Sequence, residues 1–319
     1  MENMVDENIS NEYEIYKRES TFPSQLLMDT VSHCNLNCIM CARQYEPRKW
    51  GWMSDKLALK IIDEVADTSP ETRIWFCYFG EPLVAKNKRF GLFERIKYAK
   101  EKGIRKTVIN SNANLMDKKC VEKIINSGLD EIYIGLDAAT PETYSKIRVG
   151  GDYDRVVKNI EFLLWRLENE NLENPKVVTQ FGVYDENENE VEAFEKFWES
   201  KGVKAFVRPK LTWLGYLEDK IRTTEKRWPC SWLFDSINIL ETGMVPYCIC
   251  DWDNRRPFGD INKESIKDVW QKKIRYYQIL HAQERWDELP EFCQQCRDWQ
   301  AKAKKNQEFL DYYKNDAAF

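Results

Sequence analysis

Between residues 25 and 208, short apolar runs rich in β-branched and aromatic residues alternate with longer segments of helical periodicity. This alternation is typical of repeated strand–helix units around a parallel sheet. We expect six such units, which predicts an α/β fold of the partial (β/α)6, TIM-like barrel type. The predicted strands are residues 25–31, 73–79, 106–110, 131–136, 176–183 and 204–208.

Several of the intervening segments carry helix boundary signals. Ser54 and Asp55 precede LALKIIDEVAD, and Asp117 precedes KKCVEKIINSG. Gly103 and Gly128 follow the ends of two apolar-periodic segments, where glycine commonly terminates a helix. The sequence therefore predicts helices between the strands, with these residues at their ends.

The rhythm changes after about Gly215, where a short loop-rich stretch contains five of the ten cysteines and is followed by polar helical segments such as SIKDVWQKKIRYYQIL. A chain of 319 residues is long enough for one large domain and one small one. We expect an N-terminal arm over residues 1–24, the barrel over 25–215 and a small cysteine-rich α+β domain over 216–319.

Charge and hydropathy exclude several classes of protein. The 48 Lys and Arg and 53 Asp and Glu residues are mixed along the chain and leave a net charge of −5, so a nucleic-acid partner is not expected. No run approaches the roughly 18 apolar residues of a membrane-spanning helix, and the acidic N-terminus lacks the features of a secretory signal. We expect a cytoplasmic protein without a membrane partner.

Ten cysteines in such a chain favour metal ligation or redox chemistry over disulfides, because the cytosol keeps thiols reduced. Only two histidines, His33 and His281, are present. That number argues against His-rich zinc sites and most imidazole-based hydrolytic triads. Any metal centre is therefore expected to use mainly thiolate ligands.

The segment HCNLNCIMCARQ places Cys34, Cys38 and Cys41 in a CxxxCxxC pattern directly after the first predicted strand. Three close thiolates can hold a [4Fe-4S] cluster while leaving its fourth iron open to a cofactor. The alternatives are a zinc loop with a distant fourth ligand or three unrelated buried cysteines.

This loop resembles the signature of the radical S-adenosylmethionine (SAM) superfamily, with Met40 at a position near the adenine that usually carries an aromatic residue. The resemblance implies that SAM chelates the open iron through its amino and carboxylate groups. One-electron reduction then yields methionine and a 5′-deoxyadenosyl radical that abstracts hydrogen from a substrate. It also implies an electron donor such as flavodoxin or ferredoxin.

Two further strand ends resemble SAM-binding segments of the family. Residues 79–82, FGEP, are similar to a GGEP turn that meets the SAM amino group, and this similarity assigns SAM contacts to Gly80 and Glu81. Phe79 replaces the first glycine. The segment NSNAN resembles a TNG-type segment that flanks SAM. That resemblance adds three cofactor-binding candidates, Asn110, Ser111 and Asn112.

The fourth strand ends in GLDAATPETYSKIR, which is similar to a segment whose arginine pairs with the SAM carboxylate. The resemblance assigns that role to Arg148, whose guanidinium fork suits a carboxylate, and places Asp137 at the cofactor site. The alternative for Arg148 is a solvated charge at a helix end. Gly135 stands where the family often has serine, and Gln180 on the fifth strand is expected to face the ribose.

Four cysteines near the C-terminus, Cys230, Cys248, Cys293 and Cys296, are enough to close a second cluster. The turn GMVPYC and the stretch FGDINKESIKDVW resemble the auxiliary-cluster domains called SPASM and twitch. A full SPASM domain carries further cysteines after the last of these, so the resemblance implies one auxiliary [4Fe-4S] cluster. The alternative is a four-cysteine zinc knuckle, which would only stabilise the domain.

Three cysteines remain. Cys77 and Cys120 fit buried core positions. Cys250, in YCICDWD, is a candidate catalytic residue that returns a hydrogen atom to a substrate radical, which would make the enzyme an epimerase. The alternative is a packing residue or an additional ligand.

Three reactions follow from one hydrogen abstraction: dehydrogenation through the auxiliary cluster, as in the cyclitol dehydrogenases that this layout resembles, epimerisation, and crosslinking as in peptide maturases. Residues 1–20 are too few to form the leader-binding domain of most peptide maturases, which favours a small polar sugar, cyclitol or aminoglycoside-like substrate. Trp213 and Trp252 are candidate stacking surfaces for a sugar ring. A non-catalytic iron-sulfur or zinc binding protein is the remaining alternative.

Overall fold

The computed structural model describes residues 21–44, 51–217 and 227–301. Most of the predicted arm, residues 1–20, lies outside this part of the chain. Seven parallel strands form one sheet in the order β6-β5-β4-β3-β2-β1-β7. They are β1 (Gln25–Met28), β2 (Arg73–Trp75), β3 (Thr107–Ser111), β4 (Glu131–Gly135), β5 (Lys176–Val183), β6 (Lys204–Pro209) and β7 (Ser236–Ile239).

Helices connect the strands, and four lie beyond β6. The α-helices are α1 (Asp55–Thr68), α2 (Leu92–Glu101), α3 (Lys118–Asn126), α4 (Pro141–Ile147), α5 (Tyr153–Asn169), α6 (Val191–Ser200), α7 (Ser231–Asp235), α8 (Ile266–Asp268), α9 (Arg275–Ala282) and α10 (Glu291–Gln294). A π-helical segment, Val269–Ile274, joins α8 to α9. The 3₁₀ helices are Ala42–Gln44, Pro82–Ala85, Glu188–Glu190, Trp286–Glu288 and Asp298–Ala301.

The predicted boundary signals are confirmed. The Ser54 side chain accepts a hydrogen bond from the Leu57 N–H at the start of α1, and Asp117 does the same for α3. These side chains satisfy main-chain donors that have no partner within the helix. Gly103 and Gly128 both have positive φ, +89° and +77°, just beyond helix ends.

The six predicted strands are all present, and the α/β barrel prediction is confirmed. Strand β4 is buried at every position because β3 and β5 flank it and helices cover the sheet. Cys120 is 1% exposed on α3 and belongs to the main core, as predicted. Within the described ranges, no helix combines the length and the apolar character needed to cross a lipid bilayer.

The seventh strand, β7, was not predicted. It pairs in parallel with β1 from Gln25 opposite Ser236 to Met28 opposite Ile239. The Asp29 N–H donates to the Ile239 oxygen at 2.9 Å, which extends this pairing by one residue. The sheet is thus completed by residues that follow the predicted domain boundary at residue 215.

A second, smaller sheet lies in the C-terminal part. Strands β8 (Met244–Val245) and β9 (Gly259–Asp260) pair antiparallel. The core of this part continues into the barrel core through Tyr247, Phe258 and Trp270. The hydrophobic interior therefore runs without interruption from the large sheet to the cysteine-rich region.

Candidate functional site

The loop that follows β1 is held by main-chain hydrogen bonds to the end of α4. The Asn37 N–H donates to the Val149 oxygen at 2.9 Å, and the Ile39 N–H donates to the Ile147 oxygen at 3.0 Å. A turn from Cys38 to Cys41 follows, closed by a 3.1 Å hydrogen bond between their main chains. The segments that follow β1 and β4 are thereby held together at the predicted cluster.

Cys34, Cys38 and Cys41 pack in one small apolar cluster with Leu36, Met40, Ile147 and Tyr184. Burial, followed by the charge of Glu81, raises the pKa of Cys34 to about 12. Burial also raises the pKa of Cys38 and Cys41, and Cys38 raises the pKa of both other thiols. The structure therefore brings the three predicted ligands together.

Glu81 connects three strand ends. Its main-chain N–H donates to the His33 oxygen at 2.9 Å, which fixes the FGEP turn against the cysteine loop. Its buried carboxylate accepts hydrogen bonds from the Leu83 N–H (3.1 Å), the Ser111 hydroxyl (2.7 Å) and the Asn112 N–H (2.7 Å). Glu81 is thus engaged by protein donors, and a carboxylate has acceptor capacity for one more partner.

Gly80 is required for this close approach. A Cβ at that position would lie 1.7 Å from the Val31 oxygen, so any side chain would displace the FGEP turn from the loop after β1. Packing against the main chain of Val31 therefore requires glycine at position 80, which is also a predicted SAM contact.

The ends of β3 and β5 present the other predicted cofactor residues. Asn110 donates from Nδ2 to Gln180 Oε1 at 2.9 Å. Asn112 donates from Nδ2 to Asn35 Oδ1 at 3.0 Å and lies 3.8 Å from the Cys34 sulfur. These contacts place the polar side chains beside the cysteine loop, at the carboxyl edge of the sheet.

Arg148 lies in the site interior and not at a solvated helix end. Its Nε donates to Asp137 Oδ2 at 2.9 Å, and its Nη1 lies 4.0 Å from the Cys38 sulfur. Burial disfavours its charge, but the Asp137 carboxylate and then Cys38 outweigh burial and raise the Arg148 pKa. Asp137 is itself fully buried, adopts φ +55° and accepts the Gly182 N–H at 2.6 Å.

Gly135 makes room for this guanidinium. A Cβ on Gly135 would lie 2.3 Å from Arg148 Nη2. Glycine in place of the family's common serine at position 135 thus has a steric reason, because the Arg148 guanidinium occupies the volume that a side chain there would need.

The four C-terminal cysteines also come together. Cys248 and Cys293 each raise the pKa of Cys230, and Cys248, Cys230 and Cys293 each raise that of Cys296. In both thiols burial is the largest cause of the shift. Direct contacts agree with this grouping: His281 accepts the Cys230 N–H at 3.3 Å and lies 3.6 Å from the Cys293 sulfur, and the Cys296 N–H donates to the Cys293 oxygen at 3.2 Å.

Cys250 lies against this group. It is 1% exposed, its thiol is hydrogen-bonded to the Cys248 sulfur, and this bond together with burial raises its pKa. Its role as a hydrogen donor stays a prediction. Cys77 is 7% exposed, and its sulfur accepts the Asn110 N–H at 3.0 Å. It therefore helps to hold the main chain of a predicted cofactor-binding residue in place.

The residues that link the two cysteine groups were not predicted. Trp213, considered only as a stacking surface, contacts the main chain of Met40, and Asp298 contacts Cys296. Tyr78 donates from its hydroxyl to the Cys248 and Ile249 oxygens at 3.2 and 2.8 Å. No local sequence signal identifies these residues. The contacts of Trp213 and Tyr78 join residues at least 170 positions apart, and the contact of Asp298 with Cys296 uses a main-chain N–H, which every residue type except proline has.

Both thiol groups fit iron-sulfur clusters by their donor chemistry. Buried, mutually repelling thiols remain protonated until a metal replaces the protons, and soft thiolate is the ligand that iron-sulfur clusters use. Within the described ranges, no three Cys, His, Asp or Glu side chains converge closely enough to hold a single metal ion. Thiolates around a [4Fe-4S] cluster bind separate irons and lie farther apart than the ligands of one ion.

Comparisons with known proteins agree with this geometry. The model of the radical SAM superfamily matches residues 28–197, and the model of the SPASM iron-sulfur cluster-binding domain matches residues 230–297. An AdoMet-dependent heme synthase from Methanosarcina barkeri is 29% identical over 44% of this chain and 39% of that protein. A tungsten-containing aldehyde ferredoxin oxidoreductase cofactor-modifying protein from Pyrococcus furiosus is 26% identical over 57% of this chain and 50% of that protein.

The chain thus spans half or less of the length of these curated relatives. Among solved structures, BtrN in complex with AdoMet and 2-DOIA has a TM-score of 0.63 at 18% identity, over 89% of this chain and 97% of that one. SuiB from Streptococcus suis bound to precursor peptide SuiA has a TM-score of 0.65 at 16% identity, over 86% and 70%. At these identities the likeness establishes a shared fold.

The family match covers more than half of the chain, and it includes the cysteine loop and the strand ends that meet beside it. The two matched regions imply SAM with a [4Fe-4S] cluster in the first and further iron-sulfur ligation in the second. This chain therefore belongs to the radical SAM superfamily and carries a C-terminal SPASM region.

Proposed function

We propose that this protein is a radical SAM dehydrogenase of a small polar substrate, such as a sugar, cyclitol or aminoglycoside-like alcohol. The observation that carries this proposal is the contact of Tyr78 with Cys248 and Ile249. Tyr78 immediately precedes the FGEP turn, so the second cysteine group borders the edge of the sheet where SAM is expected. An electron acceptor at that border suits oxidation of a substrate radical.

The proposed ligands follow from the grouping of the thiols. Cys34, Cys38 and Cys41 hold the first cluster and leave one iron open to SAM. The auxiliary cluster takes the four C-terminal thiols, which are Cys230, Cys248, Cys293 and Cys296. When bound, the first cluster and SAM supply the electron and the 5′-deoxyadenosyl radical that abstracts a hydrogen atom from the substrate.

The chain's own residues prepare the SAM site. We propose that Gly80 and Glu81 meet the SAM amino group, and that Arg148 pairs with the SAM carboxylate while Asp137 holds its guanidinium. Five other residues are proposed to line the cofactor: Met40, Asn110, Ser111, Asn112 and Gln180. The hydrogen bond from Asn110 on β3 to Gln180 on β5 supports this because it holds two of them together across the intervening strand β4.

The proposed reaction balances. The substrate alcohol would lose a hydrogen atom to the deoxyadenosyl radical. The resulting carbon radical would then lose its hydroxyl proton to a base and one electron to the auxiliary cluster that Cys230, Cys248, Cys293 and Cys296 would hold. The carbon–oxygen bond becomes a carbonyl. One electron would enter from a carrier such as flavodoxin or ferredoxin to cleave SAM, and one would leave through the auxiliary cluster to a carrier of the same class.

The fold likeness to the structure of BtrN with AdoMet and 2-DOIA over nearly its whole length supports a similar layout here. A division of the chain at residue 215, with the cysteine-rich part following the barrel, is proposed with it. A cytoplasmic location is part of the same proposal, because the cytosol keeps cysteine thiols reduced and available as cluster ligands.

Epimerisation is the second candidate. It is favoured by one observation: the Cys250 thiol is buried against Cys248, a proposed ligand of the auxiliary cluster. A peptide substrate is a third, supported by the fold likeness to SuiB bound to its precursor peptide.

One series of assays separates these candidates. Protein reconstituted without oxygen is mixed with SAM, dithionite and a panel of aminocyclitols, and 5′-deoxyadenosine is measured; its absence would indicate a non-catalytic binding protein. A product lighter by two hydrogens supports dehydrogenation. Solvent deuterium at one substrate carbon, lost in Cys250→Ala but retained in Cys120→Ala, would overturn dehydrogenation in favour of epimerisation.

A further inference from the structure

Cys293 differs from the other proposed auxiliary ligands in the side-chain donors around its sulfur. His281 Nε2 lies 3.6 Å from the Cys293 sulfur, and Arg227 Nη2 donates to the same sulfur at 3.5 Å. Cys296, by comparison, receives the main-chain N–H of Asp298 at 3.2 Å. Two nitrogen side chains therefore converge on one sulfur.

The direction of the His281 hydrogen bond is fixed by its other ring nitrogen. The Cys230 N–H donates to His281 Nδ1 at 3.3 Å, so Nδ1 carries a lone pair and the ring proton lies on Nε2. His281 is 1% exposed, so bulk solvent does not reach its ring. The imidazole is thus a neutral donor aimed at Cys293.

Arg227 is held in place by two further contacts. Its Nη1 donates to the Gln294 oxygen at 2.7 Å, directly after Cys293 in the chain, and its guanidinium lies 4.9 Å from the ring centre of Trp286. The same indole meets the His281 ring edge-on at 5.5 Å. Trp286 therefore packs against both donors and limits their movement.

We propose that His281 and Arg227 raise the reduction potential of the auxiliary cluster by hydrogen-bonding to the Cys293 sulfur. This inference rests on the proposed role of that cluster as the acceptor of the substrate electron. Hydrogen bonds to cluster sulfurs and a nearby positive charge stabilise the reduced, more negative state. A higher potential makes transfer from the substrate radical more favourable.

The test uses the full chain with Cys34, Cys38 and Cys41 replaced by alanine, so that the auxiliary cluster alone gives a signal. Iron analysis shows first whether that cluster assembles, and failure to bind iron would count against the proposed function itself. A redox titration followed by electron paramagnetic resonance then gives the midpoint potential. His281→Phe and Arg227→Met are each expected to weaken electron uptake about tenfold, a fall of about 59 mV for a one-electron couple.

Arg285→Gln is the matched control, because Arg285 is an exposed arginine in the same region that pairs with Glu288 at 2.6 Å. It should leave the potential unchanged. Arg227→Lys keeps the charge without the guanidinium fork and is expected to give an intermediate value. Equal potentials in the parent, His281→Phe and Arg227→Met proteins would overturn the inference.

A second measurement needs no change at either donor. The chain has two histidines, so labelling with ¹⁵N-histidine marks only His33 and His281. With the first cluster removed, pulsed resonance of the reduced auxiliary cluster should detect coupling to the ¹⁵N of His281, and His33→Gln should retain it. Loss of the coupling only in His33→Gln, or no coupling at all, would contradict the proposed hydrogen bond.

Discussion

Trp213 donates a hydrogen bond from its indole Nε1 to the main-chain oxygen of Met40 at 2.8 Å. Met40 lies between two cysteines of the first loop, so an indole 173 residues later in the chain braces the turn that carries the proposed cluster. Trp213 and Leu214 both adopt positive φ, +54° and +61°, a conformation that costs energy for residues other than glycine.

Asp298 stabilises the unusual main-chain conformation of Trp213 and Leu214 by hydrogen bonds to N–H groups on either side of Trp213. Its carboxylate accepts the N–H groups of Thr212 and Leu214, the latter at 2.9 Å, while its own N–H donates to the Cys296 sulfur. A continuous set of contacts therefore runs from the second cysteine group to the first.

Trp213→Phe is expected to loosen the first cysteine loop while leaving the sheet intact. The ring contact with Phe79 at 5.8 Å is retained, but one hydrogen bond of about 1 kcal/mol is lost. Hydrogen exchange at the Cys41 and Gln44 amides should accelerate about fivefold by mass spectrometry. Trp165→Phe, on the exposed face of α5, is the control, and equal exchange in both variants would refute the bracing role.

Gly135→Ala should displace Arg148. The added methyl group would lie 2.3 Å from Nη2, and overpacking a buried site costs roughly 1–3 kcal/mol. We expect a lower unfolding free energy and, by equilibrium dialysis of cluster-loaded protein, at least about tenfold weaker SAM binding, since such a loss is about 1.4 kcal/mol. Gly51→Ala, where the nearest atom is a flexible Glu241 carbon at 3.3 Å, should change neither. Unaltered SAM affinity would show that Arg148 does not contact the cofactor.

Asp137 and Arg148 should behave as one unit in a double-mutant cycle. Removing either partner leaves a buried charge uncompensated, which typically costs about 3–5 kcal/mol. Asn tolerates the positive φ of Asp137 and keeps an oxygen for the Gly182 N–H. Urea unfolding of Asp137→Asn, Arg148→Met and the double variant should therefore be strongly non-additive. Additive losses would mean that the ion pair is not a coupled interaction.

Cys120 should make the protein sensitive to alkali. Burial raises its pKa from 9.0 to about 12, so between these values the unfolded chain releases a proton that the folded chain retains. The unfolding free energy then falls as pH rises through this window, by at most about 1.4 kcal/mol per pH unit. Urea unfolding of Cys120→Ser at pH 8, 9 and 10 should show a shallower decline, whereas a parallel decline would contradict the assigned shift.

Much of the molecule could be predicted from the sequence because its signals are local. Strand and helix patterns, the caps at Ser54 and Asp117 and the spacing of the first three cysteines all lie within a few residues of one another. The burial of Arg148 could not be predicted from its neighbours in the sequence. It depends on the space left by the missing side chain of Gly135, which lies thirteen residues earlier on β4.

Other features required long-range information. Strand β7 has only four residues, and its partner β1 lies about two hundred residues earlier, so neither length nor periodicity distinguishes it from a loop. His281 entered the sequence analysis only as evidence against zinc and hydrolytic sites. Its contact with Cys293 depends on how α9 packs beside α10, which no motif encodes.

The membership of β7 in the large sheet means that both matched regions contribute strands to one sheet. Residues 236–239 fall inside the SPASM match, yet they form the outer neighbour of β1. A gene fragment ending before them would leave β1 with an open edge that invites pairing between molecules. Grafting a different auxiliary module onto this barrel would therefore succeed only if the module brought a matching strand with it.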